Sequence, residues 1–149
     1  MGADTIVYVH KDRIGKLEPY QLGVLLQVHG MRWDSFLDAY AVEDFLAAPV
    51  MLVDRDRVEE GLTNIREAVD DFLEIVHGKN TVNLTEVCAR LDRAVELLGR
   101  IAEFLTLYQL VLETGAVFVS DYYPLEERLE IEDRGYVPVT DAVKGGGGE

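Results

Sequence analysis

Apolar residues in this chain change their period several times, and each change marks an element. Thr5-Ile6-Val7-Tyr8-Val9 is β-branched and aromatic, ends at the polar turn His10-Lys11-Asp12, and reads as a strand. Pro19 to His29 reads as a helix, with proline at its start and Gly30 past its end. A second helical stretch is expected from Asp34 or Ser35 to Ala48, where Pro49 stops it. Val50 to Val53 is too short for periodicity to separate a buried strand from packed coil.

The centre of the chain carries the clearest pattern. Asp56-Arg57-Val58-Glu59 has the form of a capping box, and the helix it opens is expected to run to His77, with Gly78 as its cap. Val58, Leu62, Ile65, Val69, Phe72 and Val76 recur at steps of three and four and predict one apolar face. Asn83-Leu84-Thr85-Glu86 is a second capping box, with Val82 and Val87 placed as a hydrophobic staple. The helix after it is expected to run from Leu84 to Thr114, closed by Gly115. Two long helices joined by so short a link pack antiparallel.

Beyond Gly115 the period shortens. Ala116 to Val119 reads as a strand and Asp121-Tyr122-Tyr123-Pro124 as a turn. Arg128 to Glu132 alternates polar and apolar, Asp133-Arg134-Gly135 turns, and Tyr136 to Val139 returns. This predicts a β-hairpin whose last strand Pro138 confines to an edge. The fold class expected is therefore α+β and mainly helical. A long antiparallel αα-hairpin (56–114) forms the centre, with a short N-terminal strand and a C-terminal β-hairpin arm (116–140). Residues 1–144 are expected to form a single domain, and the glycine-rich 145–149 a flexible tail.

The helix from Leu84 to Thr114 carries most of the functional content. Between Ile101 and Leu112 its only polar residues are Glu103, Thr106 and Gln109, and Arg93, Glu96 and Arg100 extend that narrow stripe upstream. A helix apolar around most of its girth must be covered on more than one side. Thirty-one residues span roughly 46 Å, whereas a compact body of this chain length is about 38 Å across. A continuous helix thus calls for a second copy or another protein. The other possibility is a break at Gly99 and an ordinary bundle. Leu98, Phe104, Leu105, Tyr108 and Val111 are the interface candidates on the helix, and Tyr122 and Tyr123 the aromatic candidates beyond it.

Charge narrows the partners. The chain holds 28 Asp and Glu against 14 Lys and Arg, for a net charge of −14. Such a surface repels nucleic-acid backbone and anionic lipid, so neither is expected as a direct partner. Lysine occurs only at Lys11, Lys16, Lys79 and Lys144, and the acids are dispersed. That balance resembles the proteins of halophilic archaea and their viruses, and a high-GC bacterium or its phage gives a similar lysine deficit. No apolar run approaches the roughly 18 residues of a membrane span, and no secretory signal is present, so a cytoplasmic or virion location is expected.

Catalytic signatures are weak. Glu74-Ile75-Val76-His77 is half of a di-metal helix motif, and no second such step follows. Gly78-Lys79-Asn80-Thr81 lacks the upstream glycine and the Ser or Thr of a phosphate loop. Cys88, the single cysteine, is expected to be a core thiol near Leu84 and Leu91. Asp70 with Asp71, and Glu126 with Glu127, are pairs expected by chance in so acidic a chain. No cofactor, metal site or catalytic residue is assigned. The sequence favours a non-enzymatic structural or adaptor subunit assembling with itself or a larger protein assembly, such as a neck, tail or capsid-associated virion part. The alternatives are an acidic inhibitor that mimics phosphate backbone and a small metal-dependent enzyme using His77.

Overall fold

The structure, a computed structural model, describes residues 3–47, 50–77 and 83–143. It is mainly helical with one small antiparallel sheet. In chain order the elements are β1 (Thr5–His10), α1 (Lys11–Ile14), α2 (Pro19–Val28), α3 (Trp33–Ala39), α4 (Val42–Phe45), β2 (Leu52–Val53), α5 (Arg55–His77), α6 (Leu84–Thr114), β3 (Val117–Ser120), α7 (Leu125–Asp133) and β4 (Tyr136–Pro138). The strand order is β2-β3-β1-β4.

Strand β1 is central, and its unbroken apolar run Ile6-Val7-Tyr8-Val9 supplies apolar side chains to both faces. It pairs antiparallel with β3 (Val7 opposite Phe118) and with β4 (Val9 opposite Val137). Val7, Val9, Phe118 and Val53 are completely buried and join Leu25, Phe36, Val42, Phe104 and Val111 of the helical layer in one core. Phe36 stacks on Phe118 with ring centroids 4.9 Å apart. The Trp33 indole donates to the Val50 carbonyl at 2.8 Å, which anchors α3 to the segment leading into β2. Pro138 lies in an edge strand, where its missing N–H costs the sheet least.

Several sequence expectations are corrected. The C-terminal β-hairpin does not form: Arg128–Glu132 lies within helix α7, and β4 pairs with β1 instead. Five alternating residues fit either period. Leu, Glu and Arg favour helix, and Glu126 and Glu127 complement the positive end of its dipole. The Tyr8 hydroxyl donates to Glu132 Oε2 at 3.0 Å and ties this helix to the sheet. Burial and that carboxylate push the Tyr8 phenol up to about 12. The stretch expected as one helix from Asp34 or Ser35 is two helices over its described residues, broken at Ala41, whose φ is +52°, while its expected end at Ala48 and Pro49 lies outside the described residues. Asp54, not Asp56, caps α5: its carboxylate accepts from the Arg57 amide at 3.1 Å.

Other expectations hold. Asn83 caps α6 by accepting from the amides of Thr85 and Glu86. Gly115 ends that helix at φ +68°. Most important, α6 is one helix of 31 residues and runs through Gly99 without interruption. The expected roles of Gly78, Val82 and the 78–81 loop, and of the 145–149 tail, fall outside the described residues.

Candidate functional site

Helices α5 and α6 run antiparallel. Gly61 meets Phe104 near one end, while Ala68 and Leu97 line a common groove further along. The base of the pair is locked to the rest of the molecule. Phe45 packs edge-on against Phe104 at 5.3 Å, and the Asn64 amide donates to the Phe45 carbonyl. Arg100 donates to the Asp38 carbonyl at 2.9 Å and to Glu103 at 3.0 Å, and also binds Asp44. The Asp44 hydrogen bond leads the causes that hold the Arg100 guanidinium above its usual range.

Past that lock the pair continues as an arm. Between Ala68 and the end of α5, and from the start of α6 to Arg100, Ala94 is the sole fully buried side chain among the described residues. The arm still carries large apolar residues: Val69, Leu73 and Val76 on α5, and Leu84, Leu91, Val95 and Leu98 on α6, are all 40 % or more exposed. Leu105 and Leu112 continue the α6 series over the base, at 40 % and 38 %.

Helical geometry puts these residues on one side. On α6 the exposed series lies roughly a quarter-turn from the inward series Val87, Ala94, Ile101 and Phe104, counting about 100° per residue. On α5 the exposed residues lie roughly a quarter-turn, in the same rotational sense, from Val58, Ile65 and Ala68. Two antiparallel helices facing each other bring such stripes to the same face. The converse holds on the other side. Asn64, Glu67 and Asp71 of α5 share a groove of about 680 Å³ with Arg93, Glu96 and Arg100 of α6. The arm therefore has a polar face and an apolar face.

The residues singled out from the sequence divide. Leu98 and Leu105 lie on the exposed apolar face. Phe104 and Val111 do not: both are core residues, 0 % and 1 % exposed, which removes them as contacts for a partner. They sit on the inward side of α6, where Gly61 leaves room for the Phe104 ring. Tyr108 is half-buried. Tyr122 is 65 % exposed and Tyr123 half-buried, but both follow β3 and are not on the arm, and Tyr123 lies beside the start of α5. Burial and the Glu127 carboxylate push the Tyr123 phenol up.

Cys88 is exposed, not a core thiol, because it lies about 100° round the helix from Val87. The sequence reading missed Leu84, Leu91 and Val95 as surface residues. The signal that finds the leucines is their recurrence at every seventh position of α6, at Leu84, Leu91, Leu98, Leu105 and Leu112, and Val95 lies one helical step of four beyond Leu91.

Chemistry elsewhere is sparse. Among the described residues no group of three or more His, Cys, Asp and Glu is placed to hold a metal ion. Glu74 and His77 are exposed at the far end of α5. His10 accepts from the Asp12 amide and so caps α1. His29 Nδ1 accepts from the Val7 amide at 3.1 Å, and burial lowers its pKa. The pairs Asp70–Asp71 and Glu126–Glu127 are solvent-facing. None of the described helices is long and apolar enough to cross a membrane. Comparison with family models, with curated proteins and with solved structures finds no match to this chain.

Proposed function

We propose that this chain is a non-enzymatic structural or adaptor subunit that works by assembling with protein partners through the α5–α6 arm. The observation that carries this reading is the uninterrupted 31-residue α6, whose exposed apolar stripe extends past the body that anchors its base. Contiguous exposed apolar surface of this kind marks interaction sites. The charge of −14 with only four lysines suits a salt-rich setting, and a small assembly part of that character suits a virion component of a halophile virus.

Cys88 supplies the test, because it is the chain's one cysteine and lies on the stripe. Its alkylation by a maleimide is to be timed in native extract and in purified, highly dilute protein. Covering of the arm slows the reaction in the extract by at least about tenfold. Equal rates in the two settings overturn the reading.

A further inference from the structure

The exposed stripe of α6 contains more order than hydrophobicity alone requires. Its five leucines recur at intervals of seven. Four residues after each of the first four leucines stand Cys88, Val95, Ala102 and Gln109, all of them exposed. The stripe thus steps by four and three alternately along the whole helix, and none of its positions carries a formal charge. A repeat of 3.5 residues keeps one seam of a helix facing a partner that winds around it, with leucine knobs entering holes on the facing helix.

Helix α5 does not fill that seam. It occupies the separate inward series a quarter-turn away, where Ala94, Ile101 and Phe104 are buried. So α6 carries two parallel seams, one used within the chain and one open.

We propose that the open seam is occupied by the same seam of a second copy of this chain, so that two α5–α6 arms form a four-helix bundle. This rests on the assembly reading above and names the partner. Three observations select a second copy. First, a heptad seam is complementary to itself, as a two-fold interface requires. Second, nine large apolar side chains, three on α5 from Val69 to Val76 and six on α6 from Leu84 to Leu112, stay 38 % or more exposed on this one face, an extent suited to a stable interface that covers roughly 800 Å² on each partner. Third, the seam is uncharged in a chain of net charge −14, so the surface that repels a copy elsewhere is interrupted here. That repulsion remains at longer range, and added salt screens it.

The test is sedimentation equilibrium of the purified full chain at low and at molar salt. A mass twice that of the chain is expected, with tighter association at molar salt. Leu91→Glu with Leu98→Glu is expected to weaken association at least about 100-fold while the far-UV circular dichroism stays unchanged, because both side chains are exposed. Leu98→Ala is a gentler second variant, expected to weaken association about tenfold. Tyr122→Ser, away from the arm, is expected to leave the dimer intact. A wild-type monomer at both salts overturns the inference, as does a dimer broken by Tyr122→Ser and unaffected by the leucine variants. Slowed alkylation of Cys88 in extract beside a monomeric purified chain separates the two: the assembly reading stands and self-pairing falls.

Discussion

The ring of Phe104 occupies the space that a side chain on Gly61 would fill. A Cβ built on Gly61 would overlap Cζ and Cε1 at the edge of the Phe104 ring, and Phe104 itself is completely buried against Phe45. This contact brings α5 and α6 close at the base of the arm, so glycine is required there for space and not for its backbone freedom. Gly61→Ala is expected to destabilise the fold by about 1–3 kcal/mol through overpacking. Urea denaturation measures the loss, and Phe104→Leu added to Gly61→Ala should restore part of it. Destabilisations that simply add would show that the two residues do not share the space.

Gly99 is the opposite case. It lies mid-helix with open space where a Cβ would go. Glycine costs a helix interior about 0.5–1 kcal/mol relative to alanine. Gly99→Ala is therefore expected to raise the urea midpoint by a corresponding amount with no change in slope. An unchanged or lower midpoint would contradict the continuous helix.

Arg100 ties the arm to α3 and α4 through Asp38 and Asp44. These side chains are partly open to solvent, so the pairing is worth about 1 kcal/mol at most. A double-mutant cycle with Arg100→Ala and Asp44→Ala is expected to give a coupling energy of that order at low salt and a smaller one in molar salt. A coupling that persists undiminished in molar salt would mean that the contact is not chiefly electrostatic.

His29 links stability to pH. Its folded-state pKa is lowered by burial, and its Nδ1 accepts from the Val7 amide only when unprotonated. The unfolded chain thus takes up this proton first as pH falls below about 6.5. The stability His29 contributes is complete above that pH and declines as pH drops toward its depressed folded value. His29→Asn keeps an acceptor without the charge. Between pH 7 and 5, chemical denaturation should show a shallower loss of stability in that variant than in the native chain.

The candidate surface was partly legible beforehand. Leu98 and Leu105 could be placed on an apolar helix that its own chain does not cover. Phe104 and Val111 were indistinguishable from them in the sequence, because a helix apolar around most of its girth gives no sign of which side its neighbour takes. Cys88 was misplaced for the same reason.

What the amino-acid sequence settled by itself is local. Pro19, Asn83, Gly30 and Gly115 mark helix ends because the hydrogen bonds and backbone angles they provide act within a few residues. The steps of three and four in α5 and α6 likewise state a helix wherever they occur. What tertiary structure decided is which competing local choice prevailed. Tyr136–Pro138 took β1 as its partner strand, leaving 128–132 without one, and the inward seam of α6 was chosen where Gly61 admits Phe104. Those choices depend on contacts between residues far apart in the chain, whose energies no short window of sequence contains.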